Sequence, residues 1–166
     1  MAENFIRVFD SPLNKEQSKL LIKEFDEIEG KASLRLNLDG TEIGETAYIE
    51  GGSDAESLLV RYVSNLIGDC ISELGVPYHF KNLTDEGYQI QRWDSNTPHW
   101  ISTIDESRVL QILIVLGAKR GTTINFRHHG PHSLRSGKAL VFPTLYTHSY
   151  MLELAKGVNS TSYPQQ

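Results

Sequence analysis

The sequence has one cysteine, no long apolar run and no excess of basic residues. The lone cysteine, Cys70, excludes an internal disulfide and is typical of a reducing compartment. The longest apolar stretch, residues 112–116, is far too short to span a bilayer. The net charge of −5 argues against non-specific binding to nucleic acid or to an anionic membrane. No basic segment followed by an apolar run opens the chain, so we expect no signal peptide and a cytoplasmic protein.

The length and composition predict a single domain over residues 1–166. A chain of 166 residues with 39% hydrophobic and 22% charged residues is large enough to bury its own core. Asn14 and Gln17 have the spacing of a capping box and predict the start of a first helix. Ser53 and Glu56 have the same spacing and predict a second helix. Cys70 lies on the apolar stripe of that helix, so we expect a core residue rather than a nucleophile.

From residue 78 onward, apolar residues recur with the spacing of strands rather than helices. We predict strands at residues 78–81, 88–93, 100–103, 108–116, 122–126, 138–142, 148–152 and 158–163. The segment 109–116 is apolar on both faces, which predicts a central strand that is covered on each side. Two helices followed by many strands indicate an α+β fold, with the helices packed on one face of a sandwich or barrel.

The sequence RHHGPHS contains three closely spaced histidines: His128, His129 and His132. Gly130 and Pro131 between them are typical of a turn, so we predict an exposed hairpin tip here. We expect these histidines to lie in solvent. A surface metal site is the alternative.

Several motifs of the second half occur in a characteristic order. They are YQIQR (88–92), His99 after a short loop, RVLQILIVL (108–116), GTTINF (121–126) and SGKALVFPTLYTH (136–148). In this order and spacing the chain resembles the prolyl-4-hydroxylase-like oxygenases that depend on 2-oxoglutarate and Fe(II), particularly the short phage and bacterial members. The resemblance implies a double-stranded β-helix, or jelly-roll, core with N-terminal supporting helices.

The resemblance also implies a ferrous site made of two histidines and one carboxylate. It assigns His99 and His148 as metal ligands, with Tyr150 as an alternative to His148. The family's first motif is His-x-Asp or His-x-Glu, whereas this chain has Ile101 at the third position, and isoleucine cannot bind a metal. Asp105 is the nearest downstream carboxylate with the same strand parity, but it would lie roughly 20 Å from His99 along a continuous strand. The metal motif is therefore degenerate.

The family also places an arginine or lysine about nine or ten residues after the second histidine, where it pairs with the distal carboxylate of 2-oxoglutarate. This chain has residues 157–159 (GVN) there, and Lys156 is the nearest cation. The resemblance therefore assigns Lys156 and Tyr88 to the binding of 2-oxoglutarate. Arg92 and Lys138 are further cations that could replace the anchor. No residue is assigned as catalytic.

Two classes of function remain open. The first is a dioxygenase that hydroxylates an unknown substrate with Fe(II) and 2-oxoglutarate. The second is a non-catalytic jelly-roll that needs neither cofactor and binds or assembles, for example in a virion or in the host cytoplasm. The degenerate motif favours an oxygenase-like protein with impaired chemistry. No residue pattern identifies a partner or an oligomeric state, and none indicates a membrane or a nucleic acid.

Overall fold

The structure is a computed structural model that describes residues 5–35, 40–74, 86–97, 100–101, 109–144 and 148–155. Two helices form within them, α1 (Lys15–Glu27) and α2 (Asp54–Leu74). Nine strands accompany them: β1 (Arg7–Asp10), β2 (Ala32–Arg35), β3 (Glu42–Tyr48), β4 (Gln89–Trp93), β5 (Leu110–Val115), β6 (Thr123–Phe126), β7 (Gly130–Ser133), β8 (Lys138–Pro143) and β9 (Tyr150–Glu153). The described part is thus mostly β-sheet with two helices, as predicted. The predicted strands at 78–81 and 158–163 lie outside the described residues.

Helix α1 begins where the sequence predicts. The Gln17 amide donates to Asn14 Oδ1 at 2.9 Å, and the Asn14 amide donates to Gln17 Oε1 at 2.9 Å. This reciprocal pair satisfies two amides that have no partner inside the helix. Leu21 and Phe25 face the core and are buried. The predicted capping box of α1 is therefore confirmed.

Helix α2 begins in a related way. The Glu56 amide donates to Ser53 Oγ at 3.1 Å, while the Glu56 carboxylate accepts from the Gly52 amide rather than from Ser53. Further along the helix, Cys70 is buried and packs against Leu66 and against strand β8. Burial raises the pKa of the Cys70 thiol, and the nearby Glu73 carboxylate raises it further. The prediction that Cys70 is a core residue is confirmed.

The strands form three antiparallel sheets of three strands each among the described residues, in the orders β1-β8-β5, β2-β3-β4 and β7-β6-β9. Two of them pack face to face. Val115, Leu140 and Phe142 of the first sheet share one core cluster with Phe126 and Leu152 of the third. Both helices pack on the other side of the first sheet. Neither of the two described helices is long and apolar enough to cross a lipid bilayer.

The segment predicted as the central strand is covered on both faces, but among the described residues it lies at the edge of its sheet. Ile112 and Ile114 pack towards the helices, and Leu113 and Val115 pack into the cluster between the sheets. Within the described residues, however, β5 pairs with β8 alone. Strand β8 holds the middle position, and its four consecutive residues 139–142 are all buried. Apolar residues on both faces of a strand therefore show that both faces of its sheet are covered. They do not show where the strand lies within the sheet.

Strand β7 was not expected. Gly130 and Pro131 were predicted to form a hairpin tip, but they belong to β7 and pair with Phe126 and Asn125 of β6. The turn is the preceding segment 127–129, and Gly130 closes it with a φ of 77°. Strand β7 lies at the edge of its sheet. A proline has no backbone N–H to donate, and at an edge strand this costs no hydrogen bond between strands. The predicted hairpin is therefore present, but its turn precedes Gly130 and Pro131.

Candidate functional site

Strand β9 and the segment around Ile101 are joined by one antiparallel bridge. The Ile101 amide donates to the Tyr150 carbonyl at 2.7 Å, and the Tyr150 amide donates to the Ile101 carbonyl at 2.9 Å. Residues that exchange both hydrogen bonds lie directly opposite each other, and their side chains project to the same face. Ile101, at the third position of the predicted metal motif, is therefore next to Tyr150.

That face is occupied by an aromatic cluster, which we define as Phe126, Phe142 and Tyr150. The Phe126 and Phe142 ring centroids are 4.9 Å apart at 71°, and the Phe142 and Tyr150 centroids are 5.8 Å apart at 75°. All three residues are buried, and Ile101 packs against them. The interior beside Ile101 is thus filled with apolar side chains in the edge-to-face geometry that aromatic rings prefer.

Tyr150 brings a phenol into this cluster. Burial raises the pKa of the phenol, and a hydrogen bond with the Gln111 side chain opposes that rise. Tyr150 is therefore a neutral phenol at physiological pH, because its ionised form would be poorly solvated here. This favours a packing role for Tyr150, although its assignment as an alternative metal ligand stays a prediction.

His148 lies at the edge of the aromatic cluster and is only 2% exposed. Its ring stacks on that of His129 with 4.5 Å between centroids and 26° between planes, and its centroid is 6.5 Å from that of Phe126. Burial lowers the pKa of His148, and the charge of His129 lowers it further. A neutral imidazole is the form that binds a metal, so His148 keeps the chemistry of a possible ligand.

The histidines of the β6–β7 hairpin do not all lie in solvent. His128 is exposed as predicted, whereas His129 and His132 are half-buried. The His132 ring meets that of Phe126 edge-on at 5.5 Å, and His129 reaches back to His148. The predicted exposure of His129 and His132 is therefore wrong. The sequence gives no signal for these contacts, because the turn at 127–129 sets the direction of each side chain.

Tyr88 occupies a different part of the core from His148. It packs against the cluster formed by α1 and α2, which contains Leu21, Ala55 and Leu59. Its backbone carbonyl accepts a hydrogen bond from the Ile49 amide at 2.9 Å. The assignment of Tyr88 to 2-oxoglutarate stays a prediction, and the structure does not bring Tyr88 into the aromatic cluster.

Two of the predicted alternative cations already have partners. Arg92 pairs with Glu45 and with Asp26, the latter at 3.2 Å, and Lys138 pairs with Asp10 at 2.5 Å. The Lys138 ammonium holds the pKa of Asp10 below its usual range. Each cation is therefore balanced by protein carboxylates in this structure.

Three other residues named from the sequence lie outside the described residues: His99, Asp105 and Lys156. Their roles stay predictions. Within the described ranges, no group of three His, Cys, Asp or Glu side chains is placed to hold a metal ion. Within the part of the chain that the structure describes, the imidazole next to His148 is that of His129.

The depressed pKa values of His132 and His148 predict a pH-dependent stability. Burial lowers the pKa of His132, and the charge of His129 adds to this. The unfolded chain takes up protons near pH 6.5 and the folded chain only at lower pH. We therefore expect these two histidines to lower the free energy of unfolding of the metal-free protein as the pH falls below 6.5. Above that pH they should have no such effect.

Denaturant unfolding at pH 7.5 and pH 5.5, with chelator present, tests this expectation. His148→Gln should reduce the pH dependence because it removes one of the two imidazoles whose pKa values are lowered. His128→Gln, at an exposed position of the same hairpin, is the matched control and should leave the dependence unchanged. Equal stability of the wild-type protein at both pH values would contradict the expectation.

Comparisons with known proteins identify a fold. No protein-family model matches the sequence, and no curated protein matches it. Among solved structures, a prolyl-4-hydroxylase from Pseudomonas putida is 13% identical with a TM-score of 0.65, covering 93% of this chain and 88% of that one. A prolyl hydroxylase from Trichoplax adhaerens, in complex with a hypoxia-inducible-factor peptide fragment, is 10% identical with a TM-score of 0.64, covering 91% and 78%.

A viral example extends the set. The collagen prolyl hydroxylase of Paramecium bursaria Chlorella virus-1, solved as a 2-oxoglutarate complex, is 12% identical with a TM-score of 0.58, covering 91% of this chain and 88% of that chain. Identities this low show the fold alone. The chain has the fold of the prolyl hydroxylases, in agreement with the resemblance seen in its sequence.

Proposed function

We propose that this chain is a 2-oxoglutarate/Fe(II) oxygenase-like protein, of phage or bacterial origin, whose degenerate iron site impairs hydroxylation. The likeness to bacterial and viral prolyl hydroxylases supports the oxygenase-like fold. The face-to-face packing of the sheets β1-β8-β5 and β7-β6-β9 supports a jelly-roll core.

The observation that carries the proposal is the position of Ile101. Its bridge to Tyr150 directs it to the face of the aromatic cluster, and its side chain packs there. The resemblance requires a metal-binding carboxylate at this position. An ionised carboxylate among these rings would lose its hydration without gaining a cation. The sequence instead has an isoleucine, which stabilises the interior by burying apolar surface.

The number of available metal ligands also supports impaired chemistry. Non-haem iron of this class needs three protein ligands on one face and open positions for 2-oxoglutarate and oxygen. His148 supplies an imidazole, and among the described residues it belongs to no group of three side chains that could hold a metal ion. We derive no catalytic step through iron. Asp105 is the candidate that the sequence offers for a replacement carboxylate.

A non-catalytic binding role is the alternative, and one observation favours it. Trp100 is 40% exposed beside Ile101, which faces the core. Exposed tryptophans are enriched where proteins bind partners, because the ring offers a large rigid contact surface. In this role the jelly-roll would present Trp100 to a partner and would need neither Fe(II) nor 2-oxoglutarate.

Turnover of 2-oxoglutarate tests the proposed function. The protein is incubated with Fe(II), ascorbate and 2-oxoglutarate in air, and succinate is measured, with an active prolyl hydroxylase as the positive control. We expect succinate at the level of the protein-free reaction. Iron-dependent succinate above that level, lost in His148→Ala or Asp105→Asn but kept in His128→Ala, would contradict the proposal.

A further inference from the structure

A cavity of about 560 Å³ lies between two turns. Both turns are at the N-terminal end of β6, and the aromatic cluster is at its other end. One turn joins β5 to β6 and carries Arg120 and Gly121, and the other joins β7 to β8 and carries Arg135 and Ser136. Ser133, at the end of β7, completes the polar lining.

The two turns are held together by hydrogen bonds. The Ala118 amide donates to Ser136 Oγ at 3.0 Å, and the Leu134 amide donates to the Thr122 carbonyl at 2.9 Å. Leu134 is also buried in the cluster between the sheets. The side chains of the two turns therefore extend from a fixed backbone. This reduces the conformational entropy that the protein loses when a ligand binds.

The charge of this cavity is unbalanced. Arg120 and Arg135 both line it and are exposed, and neither forms an ion pair with a described residue. No Asp or Glu is among its described lining residues. Arg92 and Lys138, in contrast, are paired with carboxylates. Two guanidinium groups lie beside one cavity without an ion-pair partner among the described residues. In a chain with a net charge of −5, this indicates a local site for an anion.

The other lining groups select the kind of anion. Ser136 Oγ already accepts the Ala118 amide, so its hydroxyl proton is available to a ligand. Ser133 adds a second hydroxyl, and Gly121 also lines the cavity. Guanidinium groups bind phosphate through paired hydrogen bonds. We propose that this cavity binds the phosphate group of a small phosphorylated ligand.

The phosphate site is independent of the proposed iron-site degeneracy. Thr123 begins β6 near the cavity and Phe126 ends it in the aromatic cluster. Three residues of strand span about 10 Å. Loss or retention of iron chemistry at His148 therefore does not decide whether the cavity binds phosphate, and the two proposals are tested by different measurements.

The test is an NMR titration of the full chain at constant ionic strength with inorganic phosphate, a nucleoside 5′-monophosphate and succinate. We expect saturable shifts of the Gly121 and Ser136 amides with both phosphates and weaker binding of succinate. Tighter binding of the nucleotide would assign the phosphate to a nucleotide ligand, and equal binding would assign it to free phosphate. Both outcomes support the proposal.

Paired variants complete the test. The double variant Arg120→Gln/Arg135→Gln should weaken phosphate binding by about tenfold or more, because each charged hydrogen bond contributes that order of affinity. Arg61→Gln, at an exposed position of α2, is the matched control and should bind as the wild type does. Thermal melts confirm that each variant is folded. No saturable binding at millimolar phosphate, equal binding of succinate, or unchanged affinity in the folded double variant would overturn the proposal.

Discussion

Phe126→Ala is expected to lower the free energy of unfolding by about 3–5 kcal/mol, the range for deletion of a buried aromatic ring. Phe126 is 2% exposed and contacts the rings of Phe142, Tyr150, His132 and His148. Its removal leaves a cavity at the junction of the two packed sheets, and the rigid rings around it cannot collapse into the space. The loss is a large part of the stability of a typical domain.

Denaturant unfolding monitored by circular dichroism measures this loss, and the melting temperature should fall on the order of 10 °C. Leu20→Ala is the matched control, since Leu20 is 59% exposed on α1. It should change the stability by no more than about 0.5 kcal/mol. A Phe126→Ala protein as stable as the control would show that the aromatic cluster is not part of the core.

Gly44→Ala should cost about 3 kcal/mol or more, at the upper end of the range for overpacking. A Cβ at Gly44 would lie 1.8 Å from the Arg92 carbonyl oxygen and 2.9 Å from its carbonyl carbon. These are backbone atoms of β4, directly across the ladder from β3, so no side-chain rotation relieves the clash. The two strands would have to separate.

Gly68→Ala supplies the matched comparison. Gly68 lies within α2, and a Cβ there meets no atom within 4 Å. Alanine forms helices better than glycine by up to about 1 kcal/mol, so this variant should be slightly more stable than the wild type. In the same unfolding experiment, Gly44→Ala should lower the free energy of unfolding and Gly68→Ala should raise it slightly. Equal effects would contradict the described pairing of β3 with β4.

Local patterns predicted the elements that depend on near neighbours in sequence. The capping box of Asn14 and Gln17 involves groups three residues apart, and both of its hydrogen bonds form as expected. The apolar stripe that carries Cys70 repeats with the helix period, and Cys70 is buried. These features follow from the geometry of one helix, so an isolated sequence is enough to predict them.

The site depends on contacts between distant segments, and the sequence predicted less of it. The bridge of Ile101 to Tyr150 joins strands that are 49 residues apart, and the stacking of His129 on His148 depends on the turn of the β6–β7 hairpin. No local period encodes either contact. The sequence did predict that Ile101 cannot bind a metal, because that conclusion needs only the chemistry of the side chain.

The measurement that tests the degenerate iron site most directly is a calorimetric titration of the metal-free protein with Fe(II) under nitrogen, with 2-oxoglutarate present. His148→Ala is titrated alongside. We expect no one-to-one binding of Fe(II) by the wild-type protein, and the same trace for the variant. One-to-one binding of Fe(II) that depends on 2-oxoglutarate and disappears in a folded His148→Ala protein would contradict it.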